Sequence, residues 1–134
     1  MSEERKKRGA RKLCDLDLEI YRCVTPDLRT REVIITEERI AHIRARHPGD
    51  YERFFSYIPQ MILVPDYIVK DTRPDTALVM KRVEEAGEYF RLTLRLAAPA
   101  DNPSYKNSVI TFLKIREKEW ERVIRNKIVL YKRG

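Results

Sequence analysis

The chain changes its hydrophobic period partway along. Residues 18–24, LEIYRCV, and 31–36, REVIIT, are short runs rich in β-branched and aromatic residues on either side of TPDLRT, and they predict two strands. From Thr36 the period lengthens. Thr36 has N-cap chemistry, Glu37 and Glu38 suit a first helical turn, and the segment runs to about His47, where Pro48-Gly49 stops it. Asp50 is placed to cap a second helix over YERFFSY, and Pro59 fits the first turn of a third over PQMILV, which Pro65 closes. The second half alternates instead. TALVMKRV (76–83) and EYFRLTLRLAA (88–98) predict strands joined by a hairpin connection that contains Gly87, and NSVITFLKI (107–115) predicts another. EKEWERVIRN (117–126) sets Trp120, Val123 and Ile124 at i, i+3, i+4 and predicts a helix, after which KIVLYKR (127–133) is a last strand. Helices first, then an antiparallel sheet with one further helix before the last strand, make an α+β domain.

Alternation within 88–98 sorts its side chains. Phe90, Leu92, Leu94 and Leu96 fall on one face, and Tyr89, Arg91, Thr93 and Arg95 on the other. The expectation is a half-buried sheet whose polar face, with Arg91 and Arg95, suits a nucleic-acid backbone; Lys81 on the neighbouring strand could join it. In NSVITFLKI, Ser108 and Thr111 are small hydroxyl residues inside an apolar strand. A regular strand would point them to opposite faces, so a joint role needs a bulge near Asn107, or only one of them is used.

Length and charge narrow the picture. A chain of 134 residues fits one domain and can bury a core without metal or disulfide support. With 43% hydrophobic and 37% charged residues it is expected to be globular and soluble. A net charge of +7 and a pI near 9.5 point to a polyanionic partner, most often nucleic acid. Residues 1–13, with six Lys and Arg and almost nothing apolar, read as a disordered basic arm, and 14–134 as the single domain. No run approaches the ~20 apolar residues of a membrane span and no signal peptide is evident. The expected place is the cytoplasm, with delivery by a phage or a secretion machine left open. Cys14 and Cys23 lack C-x-x-C spacing and are most simply reduced thiols, although a disulfide stays open.

Both histidines of the chain lie in ERIAHIRARHPGDY (38–51), among three arginines. On a helix, Ile40, Ile43 and His47 share one stripe, and Arg39, His42 and Arg46 share the adjoining face. Guanidinium groups nearby disfavour an imidazolium, so a neutral imidazole there is a candidate general base and the cluster a candidate phosphate site. Two plainer roles stay open: His47 as a helix C-cap and His42 as a solvated surface residue. The i, i+5 spacing and the lack of H-E-x-x-H speak against a metal, and no cofactor is implied.

Taken in order, VIITEERIAHIRARHPGDYERFFSYIPQMILVPDYIVKD, TALVMKRV, FRLTLRL, NSVITFLKI and KIVLYKR resemble the phage-type barnase–EndoU–colicin–RelE-like nucleases over roughly residues 20–133. The motifs that carry the likeness are HI-x-x-RHP, PDYI and NS-x-IT. The resemblance implies N-terminal helices packed on a curved antiparallel sheet, with an active groove on the sheet's open face. By position it implies a site drawn from His42, Arg46, His47, Lys81, Ser108 and Thr111, with Tyr131 and Lys132 at the terminal LYK. The expected chemistry is metal-independent RNA cleavage by the substrate's own 2′-OH, which leaves 2′,3′-cyclic phosphate ends. His42 would be base or acid and His47 its partner. Arg46 and Lys81 would hold the phosphate, and Ser108 or Thr111 would position it. Arg39, Arg91, Arg95 and Lys132 would bind RNA, and Tyr131 would stack on a base. The implied partner is RNA, with tRNA among the candidates, and a cognate inhibitor or antitoxin protein if the chain is a phage- or mobile-element toxin. Two other functions fit the same features: an RNA-binding module without chemistry, and a phage-associated protein-interaction domain.

Overall fold

The structure, a computed structural model, describes residues 9–134. Its strands are β1 (Ala10–Asp15), β2 (Glu32–Thr36), β3 (Tyr67–Lys70), β4 (Thr76–Val83), β5 (Glu88–Arg95), β6 (Asn107–Ile115) and β7 (Val129–Lys132). Its helices are α1 (Leu18–Tyr21), α2 (Glu37–Arg46), α3 (Asp50–Phe54), α4 (Ile58–Leu63) and α5 (Glu117–Asn126), with a 3-10 turn at Phe55–Tyr57. The strands form one sheet in the order β1-β2-β6-β5-β4-β3-β7, curved and unclosed. All neighbours are antiparallel except β2 and β6, where Val33 and Ile34 run parallel to Asn107 and Ser108. The fold is therefore the α+β arrangement that the sequence predicts, with N-terminal helices on a curved sheet and one helix before the last strand.

β4 explains why the sheet is covered on both faces. Every residue of β4 except Arg82 is buried. Ala77, Val79 and Val83 join the main core, together with Ile40 and Ile43 of α2, Phe54 of α3, Met61 and Ile62 of α4, and Phe90, Leu92, Leu94 and Leu96 of the β5 segment. The alternate residues Leu78 and Met80 face the other way, into a second core with Val69, Ile115 and Val123 that Tyr67, Tyr89, Leu113, Trp120 and Ile124 flank. Helices α1–α4 thus lie on one side and α5 on the other. The expected open polar face of β5 is only partly open, because α5 roofs the end that carries Tyr89 and Arg91.

Other expectations need correction. Residues 18–24 do not form a strand. Asp17 accepts from the Glu19 N–H at 2.9 Å, and buried Tyr21 donates its hydroxyl to the Ile62 carbonyl at 2.7 Å. This cap and this anchor outweigh the β-propensity of the segment. Of the predicted basic arm, residues 1–8 lie outside the described residues, while Ala10–Leu13 belong to edge strand β1, paired with β2. Asp50 is the first residue of α3 rather than its cap; Gly49, at φ 85°, takes the cap position, a left-handed conformation that suits glycine. β5 stops at Arg95 rather than Ala98, and β7 begins at Val129. β3 was not anticipated. Both cysteines are free, and burial with the Asp15 charge nearby pushes the Cys14 thiol up to about 11.

Because Met80 is fully buried against α5, Met80→Ala is expected to cost about 2–4 kcal/mol in urea unfolding, as Leu92→Ala should on the opposite face. A loss below about 1 kcal/mol for Met80→Ala would show that α5 does not seal the second core.

Candidate functional site

Helix α2 begins as its sequence requires. Thr36 Oγ1 accepts from the Arg39 N–H at 3.1 Å, and the helix closes with the His47 N–H on the Ile43 carbonyl at 2.9 Å. Ile40 and Ile43 turn into the main core, so His42 and Arg46 face solvent. Arg39 is half-buried on the same flank, and His47 is half-buried at the C-cap. The neighbouring cations of α2 and α3 divide into two sets. Arg44 pairs with Glu52 and lies over the Tyr51 ring, and Glu37 pairs with Arg11. Arg39, Arg46 and Arg53 have no ion pair among the described residues, and Arg53 lies over the Phe54 ring.

The far face of the sheet holds the two hydroxyl residues. Ser108 stands opposite Arg95, Val109 opposite Leu94 and Thr111 opposite Thr93, which leaves Ile110 as an extra residue. This bulge returns Ser108 and Thr111 to one face, the face away from α2. It lies at Ile110 rather than at Asn107. Asn107 has a different task. Its side chain accepts from the Ala97 N–H at 2.8 Å and donates to the carbonyls of Thr30 and Glu32 at 2.7 and 3.0 Å, which ties β6 to β2. The arginines of this face are engaged. Arg95 grips Asp101 with two hydrogen bonds, at 2.9 and 3.1 Å, and lies over the Tyr105 ring. The Ala98 N–H, and after it the Arg95 guanidinium, hold the Asp101 carboxyl below the usual carboxylate range. Arg91 reaches Glu119 at 3.7 Å, and its Nε is buried without a partner.

Lys81 lies elsewhere. Strand alternation places it on the main-core side of β4, and it is only 4% exposed. β3 pairs with β4 only as far as Tyr67 opposite Met80, so β4 runs on past the start of β3. Asp66 fills that gap. Its N–H bonds the Met80 carbonyl at 3.0 Å, and its carboxylate accepts the Arg82 N–H at 2.8 Å. Lys81 Nζ stands 3.5 Å from the same carboxylate, and Arg133 Nη2 3.0 Å from it. Arg133 also closes a main-chain bond to the Asp66 carbonyl at 2.9 Å. Above this trio opens a cleft of about 530 Å³ that Gln60, Tyr67, Tyr89 and Trp120 also line. The cleft holds a carboxylate that can accept a proton and two cations that can hold a phosphate. Arg82, Glu84 and Glu85 line its rim, so three cations and three carboxylates surround the cleft, with Lys81 and Arg133 directly on Asp66. Among the described residues no three His, Cys, Asp or Glu side chains gather closely enough to hold a metal ion.

The sequence-predicted residues therefore do not share one groove. His42 and Arg46 face solvent on α2, Ser108 and Thr111 sit on the opposite face of the sheet, and neither group lines the Lys81 cleft. Tyr131 stands opposite Ile68 and packs against the main core, while Lys132 is exposed on the edge strand. Asp66, Arg133 and Trp120 line this candidate cleft and are not among the sequence-predicted residues. Asp66 and Tyr67 belong to PDYI, a motif that carries the family resemblance.

A family model described as phage-Barnase-EndoU-ColicinE5/D-RelE like nuclease2 matches residues 16–132. The chain belongs to this family and is a nuclease of that type, which makes nucleic acid its substrate. No curated protein and no solved structure matches the chain. Among the described residues no helix is long and apolar enough to cross a membrane.

Asp66 neutralises a lysine that is nearly out of water. Asp66→Ala leaves that ammonium unpaired, and the expected cost is about 3 kcal/mol in thermal or urea unfolding. A stability within about 0.5 kcal/mol of the parent would show that Lys81 does not depend on Asp66.

Proposed function

We propose that the chain is an endoribonuclease that needs no metal ion, and that the Lys81–Asp66–Arg133 cleft is its reacting centre. The observation that carries this proposal is the meeting of a carboxylate, a nearly buried ammonium and a guanidinium in an open cleft of a nuclease-family chain. A substrate phosphate would take over the donors of Lys81 and Arg133 and free an oxygen of Asp66. Asp66 then accepts the proton of the ribose 2′-OH as the O2′–P bond forms. The P–O5′ bond breaks, and the departing oxygen takes a proton from Lys81. Arg133 shares the charge of the phosphorane. The products carry a 2′,3′-cyclic phosphate and a 5′-hydroxyl, and DNA lacks the attacking group. The α2 flank of Arg39, His42 and Arg46 supports a second role, binding the RNA backbone away from the reacting phosphate.

The test uses end-labelled RNA and DNA of one sequence with the purified chain in excess EDTA. RNA should be cut to cyclic-phosphate ends and DNA left whole. Lys81→Met should lower the single-turnover rate by about 10²–10³-fold, with a circular dichroism spectrum like that of the parent. His42→Ala should weaken RNA binding and keep the rate at saturating RNA within about threefold. Intact RNA after incubation with folded protein would overturn the proposal. Loss of turnover in His42→Ala with retained cleavage in Lys81→Met would move the reacting centre to α2.

A further inference from the structure

We propose that Trp120 is a stacking platform for a purine base next to the phosphate held by Lys81 and Arg133; this rests on the phosphate-binding proposal for the same cleft. Trp120 is the single tryptophan of the chain. Its helical neighbours explain only part of its position. Val123 is buried in the second core, whereas the indole is half-exposed and reaches the cleft. Two tyrosines pack against the ring and leave it half-exposed. Tyr89 meets it at 5.0 Å between centroids with the planes 54° apart, and Tyr67 at 5.9 Å with the planes 75° apart. Neither ring stacks parallel on the indole, and the indole keeps part of its surface open to the cleft.

The surroundings of the ring suit a nucleotide. Tyr67 follows Asp66 directly, so the platform and the phosphate-binding trio are joined through adjacent residues of one strand start. Arg82, which also lines the cleft, lies over the Tyr89 ring at 5.6 Å. Gln60 lines the same cleft and offers an amide to a base edge. A cleft of about 530 Å³ has room for a nucleoside with its phosphate. Lys81, Arg82 and Arg133 line the cleft beside a flat apolar ring, with Glu84 and Glu85 also on the lining; cation and ring are the pairing that single-stranded nucleic acid uses, charge for the backbone and a π-face for the base. A purine overlaps an indole over two rings and a pyrimidine over one, so purines should be preferred.

The experiment follows Trp120 emission in the full chain during titration with the uncleavable DNA dinucleotide dA-dA, then with dT-dT, and in parallel with ribose 5-phosphate, which has a phosphate and no base. The expected result is saturable quenching by dA-dA at several-fold lower concentration than by dT-dT. Ribose 5-phosphate should displace dA-dA and leave the emission of the free protein unchanged. Trp120→Leu, which keeps an apolar side chain against α5 and the sheet, should weaken dA-dA binding by about tenfold in calorimetry and leave ribose 5-phosphate binding as it was. If ribose 5-phosphate binds but dA-dA binds no tighter and does not change the emission, the stacking inference falls and the phosphate site stands. If Trp120→Leu weakens both ligands equally, the ring is only a support for the site, and the inference falls as well. If neither ligand binds the folded chain, the phosphate-binding proposal fails and takes the platform with it.

Discussion

One carboxylate holds three strands together where their ladder has run out. β3 begins at Tyr67, so β4 beyond Met80 has no strand partner on that side. Asp66 replaces one, through its own N–H on the Met80 carbonyl and its carboxylate on the Arg82 N–H. The same carboxylate draws in Lys81 from β4 and Arg133 from the end of β7. Lys81 is nearly out of water, which strengthens its attraction to Asp66, whereas the Arg133 side chain is largely exposed. The order of the β3 start, the placing of Lys81 and the docking of the chain's C-terminal end all follow from that one group.

The covering of both sheet faces follows from β4 in a similar way. A strand buried on both sides must receive a layer on each, and the sequence has one long amphipathic helix left after β6 to supply the second. Placing α5 there costs the far face much of its openness. It also brings Glu119 to Arg91, while the loop after β5 brings Asp101 to Arg95. Two arginines that alternation presents to nucleic acid are thereby engaged by carboxylates of their own chain. On the other side of the sheet, Arg39 and Arg46 of α2 and Arg53 of α3 have no ion pair among the described residues. Net charge alone does not reveal which arginines are engaged within the chain and which are not.

Much of the fold was legible because local signals agreed with tertiary demand. The bounds of β4, β6 and α5 coincide with TALVMKRV, NSVITFLKI and EKEWERVIRN. The Thr36 cap holds because its chemistry is complete within four residues. Failures came where a distant contact decided. Residues 18–21 are helical through Tyr21 on Ile62, and β1 was hidden because an edge strand rich in Arg and Lys reads like a tail. Of the trio at the proposed centre, only Lys81 was legible in the sequence. Asp66 and Arg133 are each ordinary charged residues in the sequence, and nothing local says that they meet. The histidines drew attention by scarcity, yet the two isoleucines that anchor α2 turn His42 away from the sheet.

The parallel pairing of β2 with β6 bears on how the molecule assembles. It joins residues 33 and 34 to 107 and 108, and Asn107 fastens the junction to Thr30 and Glu32. During synthesis the β1–β2 pair leaves the ribosome well before its neighbour exists. It must wait, with one side unladdered, until the β4–β5 hairpin and β6 have followed. The loop that closes there is the long-range step of the topology, and its entropy is spent before the contacts on either side repay it. Folding of this chain is therefore expected to begin at the β4–β5–β6 meander and to finish at its N-terminal edge.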